Sequence, residues 1–276
     1  MRDDLVFDIG LHKGEDAAFY LRKGYRVVGI EADPGLAAYC RQRFGPEISR
    51  GDLVLIEGAI VAEPQPAGGT VTFYKNPGVS VWGTIDAAWR ERNESLGYPS
   101  VAIEVRCLDL NAIFREHGVP YYLKVDIEGA DRICLNSLQG LGDLPRFLSM
   151  EDDKVNLAQL NADLDRLGAL GYRRFRAVQQ GTIPGTTFDG VNREGQPFTH
   201  RFEPDASGPF GTDLAGPWMT ADELRIEYRW IYEMYALFGD NSPCARDAGL
   251  QRTRSELERA VGRPLPGWYD THAMLG

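Results

Sequence analysis

Three charged residues alternate along one apolar stretch of the chain, at Lys124, Asp126 and Glu128 in YYLKVDIEG. Side chains two residues apart in a β-strand lie on the same face, so the three charges would meet where the predicted strand ends. A carboxylate in that place can accept a proton from a hydroxyl, orient a substrate or bind a metal ion. Alternatively, one of these carboxylates forms only an internal ion pair with Lys124 and has no role in a reaction. We predict that Asp126 and Glu128 are catalytic.

A glycine turn follows the first predicted strand, with Gly10 and Gly14 on either side of His12 in FDIGLHKG. In an open α/β sheet, the first turn from strand to helix is the usual floor of the ligand site. A turn that binds the pyrophosphate of NAD carries a glycine where His12 stands, so a dinucleotide fits badly. The imidazole has an ordinary pKa of about 6.5, so it can act as a catalytic base or bind a hydroxyl group of a substrate. Alternatively, His12 forms a hydrogen bond with its own backbone and has no other role.

Glu31 closes the second predicted strand, 21 residues after Gly10. An acid in this position can accept hydrogen bonds from both hydroxyls of a ribose. A ribose contact beside a turn that does not suit a pyrophosphate indicates a nucleoside such as S-adenosylmethionine. Asp8, at the end of the first strand, can accept a bond from the ammonium group of that molecule or hold the glycine turn.

The fifth predicted strand ends in further acids, and Glu151 or Asp152 is expected beside Asp126. Two or three carboxylates at one rim can bind Mg²⁺, which would hold a substrate oxygen and lower its pKa. Alternatively, Asp152 or Asp153 caps the next helix, or these acids bond substrate hydroxyls. The residues by themselves leave the metal open.

The elements that must position these residues alternate between short apolar runs and helical patterns, which is typical of βαβ units and a parallel sheet. A helix that stops at Gly24 joins the first two strands, and leucines at helical spacing predict an amphipathic helix over residues 157–171. The predicted strands span residues 5–10, 26–32, 53–60, 121–129, 146–152 and 173–180.

Two regions depart from this alternation. Residues 61–108 contain antiparallel strand patterns around a tryptophan-bearing loop, and we interpret them as an insertion. Beyond the last strand, glycine and proline become frequent, and two helices over 220–238 and 250–261 precede the tail. We predict a methyl-transfer or cofactor domain of residues 1–205 that includes the insertion, and an extension of residues 206–276 that packs on it as a cap.

The insertion and the cap are predicted to form the acceptor pocket, because the residues expected at the cofactor all lie outside them. Their aromatic side chains offer flat apolar surfaces on which a sugar ring can stack, although each alone is more typical of a core. Together they favour a carbohydrate-like, hydroxylated small molecule as acceptor. These residues are Trp82, Phe210, Trp218, Trp230 and Trp268.

Composition excludes several classes of partner. The net charge of -10 opposes binding to nucleic acid, because a phosphate backbone needs a concentrated basic surface. No apolar run approaches the roughly 20 residues that span a bilayer, so we expect no membrane partner and a cytoplasmic protein. Cys40, Cys107, Cys134 and Cys244 lack the spacing of metal ligands, and we predict reduced thiols.

Several segments together carry a family resemblance. They are FDIGLHKG, VVGIEADP, LVLIEGAI, LKVDIEGAD and FLSMED, and over residues 5–180 the chain resembles the FkbM family of S-adenosylmethionine-dependent methyltransferases. The resemblance implies a class I methyltransferase fold, an α/β fold with a Rossmann-like, mostly parallel sheet of seven strands and helices on both faces. It also implies methyl transfer to hydroxyl oxygens of sugars, polyketides and similar small molecules.

The resemblance also implies which residues bind the cofactor S-adenosylmethionine. The glycine turn would shape the methionine pocket, the acid after the second strand would hold the ribose, and the segment after the third strand would pass beside the adenine. Family members commonly have Ala-Asn where this chain has Leu11-His12. The residues assigned to the cofactor are Asp8, Gly10, His12, Gly14, Glu31, Ala32, Gly58, Ala59, Ile60 and Asp126.

Two other functions compete with O-methylation of a sugar or similar metabolite. An NAD-dependent oxidoreductase acting on a sugar nucleotide would share the sheet and the acidic ribose contact, but the chain lacks G-x-G-x-x-G and a Tyr-x-x-x-Lys pair. A non-catalytic adenosyl-binding module would leave the charges at Lys124, Asp126 and Glu128 without a purpose. Cofactor binding without turnover would identify such a module.

Overall fold

The computed structural model describes residues 1–62, 69–152, 156–239, 242–265 and 267–276. The strands in these residues are β1 (Arg2–Ile9), β2 (Arg26–Glu31), β3 (Leu53–Glu57), β4 (Ala59–Ile60), β5 (Thr70–Lys75), β6 (Val101–Leu108), β7 (Pro120–Val125), β8 (Phe147–Glu151), β9 (Tyr172–Gln179), β10 (Thr187–Val191), β11 (Pro197–Arg201) and β12 (Tyr269–Leu275). The helices are α1 (Glu15–Arg22), α2 (Pro34–Arg43), α3 (Gly45–Arg50), α4 (Ala87–Ser95), α5 (Leu110–His117), α6 (Asp131–Ser137), α7 (Leu157–Leu170), α8 (Ala221–Phe238), α9 (Pro243–Arg246) and α10 (Ala248–Val261).

The main sheet has seven strands in the order β3-β2-β1-β7-β8-β12-β9. Neighbours from β3 to β8 pair in parallel, whereas β12 runs antiparallel to both β8 and β9. The predicted seven-stranded, mostly parallel sheet is therefore confirmed. Strand order reverses between β1 and β7, and a ligand in such a sheet binds in the crevice beyond the carboxyl ends of the strands at this point.

The central strands bury side chains on both faces of the sheet. Phe7 and Leu123 belong to a core that also holds Leu164 of α7, whereas Val6 and Tyr122 belong to the core under α1. Alternate residues of a strand point to opposite faces, so strands covered on both sides are apolar almost throughout. This explains the near-continuous apolar runs and confirms the expected helices on both faces.

Two predicted strands are shorter than expected. The predicted strand 53–60 breaks at Gly58, which has φ of 145° and where a Cβ would lie 2.6 Å from the carbonyl oxygen of Arg106. Beyond this break, β4 leaves the main sheet and pairs with β6. The predicted strand 121–129 ends at Val125, so the residues that follow it are positioned by a turn.

The insertion contains the antiparallel pair that its alternating pattern predicted. Strands β5 and β6 pair antiparallel from Thr70 opposite Arg106 to Lys75 opposite Val101. Helix α4 lies between them in sequence, and the Asp86 side chain caps its first turn. The insertion reaches the end of β7, because the Thr84 hydroxyl donates a 2.6 Å hydrogen bond to the carbonyl oxygen of Glu128.

The tail of the extension differs from the predicted cap. We expected residues 206–276 to lie over the sheet, but β12 is the seventh strand and lies inside it, between β8 and β9. The sequence Tyr269-Asp-Thr-His-Ala273 is too polar to be recognised as a buried strand, and only pairing on both sides makes it one. The rest of the boundary at residue 205 stays a prediction.

The amphipathic helix predicted over residues 157–171 is confirmed as α7. Helix α7 ends at Gly171 in a left-handed cap, and α8 begins with a capping box between Thr220 and Glu223. All four cysteines are free thiols. Among the described helices, none is both long and apolar enough to cross a membrane.

Candidate active site

A cleft of about 880 Å³ opens beyond the carboxyl ends of β1, β2 and β7. The insertion closes one side of it through Phe73, Lys75 and Ser80. Asp8 and Gly14 lie outside the lining, and the other residues assigned to the cofactor line it. These are Gly10, His12, Glu31, Ala32, Gly58, Ala59, Ile60 and Asp126.

The glycine turn is shaped by close approach of the backbone. Gly10 has φ of 90°, and a Cβ there would lie 1.8 Å from the carbonyl oxygen of Asp126, so only glycine fits where β1 meets the end of β7. Gly14 has a packing role, because a Cβ there would lie 2.3 Å from the ring of Phe44. His12, between them, has φ of 53°, which a non-glycine residue adopts only at a cost.

Glu31 fixes this turn from the neighbouring strand. Its Oε2 accepts a 2.7 Å hydrogen bond from the backbone N–H of His12, and its Oε1 accepts one of 2.7 Å from that of Asp33. Burial raises the pKa of Glu31 to about 7, although these two hydrogen bonds oppose the shift. Each carboxylate oxygen has a second lone pair, so Glu31 can still accept bonds from a ribose.

His12 links the turn to the insertion. Its Nδ1 lies 3.0 Å from Glu15 Oε1, and its Nε2 lies 2.8 Å from Ser80 Oγ. Both ring nitrogens are therefore engaged, and one contact would have to break before the imidazole could take a proton from an acceptor. The geometry favours His12 as a connection between the cofactor turn and the insertion, and its catalytic role stays a prediction.

Lys124 is the centre of a buried charge cluster. Its Nζ lies 3.4 Å from Asp8, 3.3 Å from Asp16 and 3.3 Å from Asp126. Burial raises the pKa of Asp8 to about 7 despite the attraction of Lys124. The ion pair considered from the sequence is present, but one cation is shared by three carboxylates. Burial likewise raises the pKa of Asp16, so the deepest acids of the cluster are not all charged together.

Asp16 ties this cluster to the extension. Its carboxylate accepts hydrogen bonds of 2.9 to 3.1 Å from the backbone N–H groups of Ser207 and Gly208. The same loop brings Asp205 to the edge of the cleft. Sequence reasoning missed both aspartates. An acid in the first turn of α1 is expected for any helix, and nothing local marks it as a buried anchor.

The carboxylates expected at the rim do come together. Ligand oxygens of Asp126, Glu128 and Glu151 all lie within 4.8 Å of one another, so the expected approach of Glu151 to Asp126 is confirmed. The stated reason is wrong for Glu128, because β7 ends before it and its φ of 48° turns the chain. Lys124 lies in β7 and Asp126 directly follows it, so the positions of these two residues agree with the spacing of a strand. Glu128 is positioned by the turn.

Asp152 does not belong to this group of carboxylates at the rim. Its carboxylate accepts hydrogen bonds from Tyr228 and from Thr271 in the core under α8. It does not cap α7, whose N-cap is Asn156. Asp153, the other expected cap, lies outside the described residues.

A second cavity, of about 1400 Å³, adjoins the cleft and shares Asp126 and Asp205 with it. We call it the acceptor cavity. Trp82 of the insertion lines it, and so do Tyr235 and Trp268 of the extension. The cavity lies between the insertion and the extension, where the acceptor pocket was predicted, and its role as that pocket stays a prediction.

Phe210 has no place in that cavity, and its predicted role in acceptor binding is wrong. It is 2% exposed and stacks on Tyr122 with ring centroids 3.9 Å apart, in the core under α1. Trp218 packs against Phe147, and Trp230 lies 63% exposed on α8. Aromatic composition alone could not separate these packing residues from Trp82 and Trp268.

The protein-family comparison identifies the family of the chain. Residues 8–173 match the model of the methyltransferase FkbM domain. The chain belongs to the FkbM methyltransferase family. The matched segment includes the cleft's glycine turn, Glu31 and Asp126, so the class I fold and an S-adenosylmethionine-dependent methyltransferase activity are confirmed for this FkbM protein. No match is found among curated protein sequences.

Solved structures similar to this FkbM methyltransferase are distant. A methyltransferase of Geobacter sulfurreducens in complex with S-adenosyl-L-homocysteine is 13% identical over 99% of this chain and 85% of its own, with a TM-score of 0.35. One of Thiobacillus denitrificans, in the same type of complex, is 12% identical over 99% and 86%, with a TM-score of 0.37. Phosphoethanolamine N-methyltransferase 2 of Haemonchus contortus is 12% identical over 99% and 49%, with a TM-score of 0.37.

Proposed function

We propose that this FkbM methyltransferase methylates a hydroxyl oxygen of a small, carbohydrate-like molecule, with Asp126 as the proton acceptor. One observation carries the proposal: Asp126 lies where the cleft and the acceptor cavity meet. A group in this place can reach both the methyl donor and the atom that is methylated.

The cleft fits the methyl donor. S-adenosylmethionine, when bound, supplies a methyl group on a positively charged sulfur, which a hydroxyl oxygen can displace in line. Glu31 would hold the ribose, and the glycine turn, with no room for a Cβ at Gly10, would let the donor approach the backbone. The carboxyl groups that surround Lys124 suit a positively charged ligand more than a pyrophosphate.

Asp126 performs the acid–base part of the reaction in this proposal. As the oxygen–carbon bond forms and the carbon–sulfur bond breaks, the hydroxyl proton passes to the Asp126 carboxylate. Lys124, 3.3 Å away, holds that carboxylate in place by charge attraction and a hydrogen bond. The insertion and the loop at Asp205 line both cavities beside the junction, where they can align the two reactants.

The magnesium site stays a prediction, and the charge cluster weighs against it. A divalent ion bound by Asp126 would lie close to the Lys124 ammonium, which repels it. We therefore expect transfer to be unaffected by EDTA. Loss of activity with EDTA and its return with Mg²⁺ would establish the metal.

The absence of nucleic-acid partners and the cytoplasmic location also stay predictions.

Calorimetry followed by an acceptor screen tests the proposal. S-adenosylhomocysteine should bind and NAD should not, because His12 stands where a pyrophosphate needs glycine. Incubation with labelled S-adenosylmethionine and a panel of sugars and polyols should then transfer label to oxygen. Binding without transfer to any acceptor would favour the non-catalytic module, and binding of NAD alone would favour the oxidoreductase.

A further inference from the structure

Two buried polar side chains lie next to each other at the floor of the acceptor cavity. Asp270 of β12 pairs with Val178 of β9, and the backbone N–H of Gln180 donates a 2.8 Å hydrogen bond to the carbonyl oxygen of Trp268. The backbone between Val178 and Gln180 is extended, so these two residues point to the same face. Gln180 and Asp270 are therefore diagonal neighbours across the strand pair, and both line the cavity.

Gln180 has an amide oxygen that the described part of the protein does not use. The residue is 4% exposed. Its Nε2 donates a 3.3 Å hydrogen bond to the carbonyl oxygen of Val178, but its Oε1 is buried and has no partner among the described residues. A polar atom that is shielded from water and left without a hydrogen bond destabilises the folded protein. Such an atom at the wall of a cavity indicates a ligand that donates a hydrogen bond to it.

Asp270 offers the complementary group. It is also 4% exposed, and no hydrogen bond to its carboxyl forms within the described ranges. Burial raises the pKa of Asp270 well above its ordinary value, and the nearby acids Asp126 and Glu151 add to the shift, whereas Lys124 opposes it. These conditions favour the protonated carboxyl, which is neutral and donates one hydrogen bond. The floor of the cavity therefore presents a hydrogen-bond acceptor and a hydrogen-bond donor side by side.

We propose that the methyl acceptor binds through two neighbouring uncharged hydroxyl groups, one donating to Gln180 Oε1 and the other accepting from the Asp270 carboxyl. This inference rests on the proposed function and narrows its substrate class to sugars and polyols that present a free diol at this place. A hydroxyl group both donates and accepts hydrogen bonds, so a pair on adjacent carbons matches the two side chains. Asp126 lines the same cavity, and a further hydroxyl of the bound molecule would extend toward it.

A substitution that removes the amide oxygen tests the proposal by binding alone. Saturation-transfer NMR in the presence of S-adenosylhomocysteine would measure the affinity for four probes, D-glucose, D-galactose, D-mannose and L-rhamnose. We expect at least one probe to bind the wild type. Gln180→Met keeps the length of the side chain but loses the hydrogen-bond acceptor, so this probe should bind about tenfold more weakly. Gln196→Met, in the exposed turn between β10 and β11, is the matched control and should bind the probe as the wild type does.

Two substitutions of Asp270 separate a neutral donor from a charged carboxylate. Asp270→Asn is neutral and still donates hydrogen bonds, so its affinity for the probe should stay within about twofold of the wild type. Asp270→Leu has no donor, and the probe should bind about tenfold more weakly. Calorimetry with S-adenosylhomocysteine should give wild-type affinity in all these variants, which shows that their donor cleft is intact.

Several results would overturn the proposal. These are absence of binding by all four probes, wild-type affinity of Gln180→Met for the probe, or equal loss of probe binding in Asp270→Asn and Asp270→Leu. Loss of S-adenosylhomocysteine binding in Gln180→Met would give this residue a structural role and would overturn the proposal as well. Gln180 lies beyond the last residue of β9, so Gln180→Met decides alone if Asp270→Leu does not fold. Failure of the wild type to bind S-adenosylhomocysteine would instead refute the proposed function.

Discussion

The two cavities that meet at Asp126 are built in different ways. The floor of the donor cleft is formed by β1, β2 and the turns that follow them, and the insertion and the end of β7 form its other sides. The acceptor cavity takes its walls from the insertion, the ends of β7 and β8, and the extension. The floor of the first depends on motifs within one βα unit, whereas all the walls of the second come from segments distant in sequence. Substitutions in the donor cleft and in the acceptor cavity should therefore have separable effects on cofactor binding and on acceptor binding.

The largest effect is expected where the cavities join. Asp126→Asn keeps the size of the side chain but removes the proton acceptor, so transfer should fall about 100- to 10,000-fold. Binding of S-adenosylhomocysteine, measured by calorimetry, should change far less, because we propose that the donor is held mainly by Glu31 and the glycine turn. As a control, Asp222→Asn on the exposed start of α8 should leave both quantities unchanged. Full activity of Asp126→Asn toward an identified acceptor would remove Asp126 from the reaction.

A change confined to the donor side should show in cofactor affinity. Glu31→Ala removes the predicted ribose contact and the hydrogen bonds to His12 and Asp33, so binding should weaken by about 1 to 3 kcal/mol. Calorimetry with S-adenosylhomocysteine measures this loss. The affinity of the variant for an identified acceptor should stay near that of the wild type. Normal cofactor affinity in the variant would show that Glu31 does not hold the ribose.

The buried acid of the donor side also predicts a pH dependence. The folded-state pKa of Glu31 is about 7, above its ordinary value of 4.5. The folded protein therefore keeps a proton that the unfolded chain has lost, so this stability is fully present below about pH 4.5 and is lost as the pH rises through about 7. Relative to Glu31→Gln, the ligand-free wild type should lose on the order of 2 kcal/mol of unfolding free energy across this range.

Thermal unfolding of both proteins at several pH values measures this difference. Parallel loss of stability in the wild type and in Glu31→Gln would assign the pH dependence to other groups. Burial also raises the pKa of Asp8 and of Asp131 to about 7, so Glu31→Gln should reduce the slope without abolishing it.

The smallest effect should come from a wall of the acceptor cavity. Trp82→Ala removes an aromatic surface from the insertion, so the KM for an identified acceptor should rise by about three- to tenfold. Cofactor affinity should be nearly unchanged. Trp230→Ala is the matched control, because this exposed residue of α8 does not line the cavity. Equal loss of cofactor and acceptor binding in Trp82→Ala would mean that Trp82 supports the fold.

The residues that sequence reasoning placed well are those whose role depends on near neighbours. Gly10, Glu31 and Gly58 all line the cleft, and each lies at the end of a strand whose apolar pattern is easily recognised. Glu128 was placed for a reason that proved wrong, because a strand pattern cannot show that β7 stops at Val125. Phe210 was misjudged because stacking on Tyr122 and stacking on a sugar call for the same residue type.

The sequence by itself determined the alternating sheet, the donor cleft and the family, because strand pattern, glycine conformation and motif spacing act over a few residues or within one βα unit. Only the tertiary structure decided that β12 enters the sheet, that Asp270 faces Glu151, and that the extension is anchored through Asp16. These contacts join segments distant in sequence, and a polar strand or a buried acid has no local signature. Their burial depends on which neighbours the whole chain brings to them.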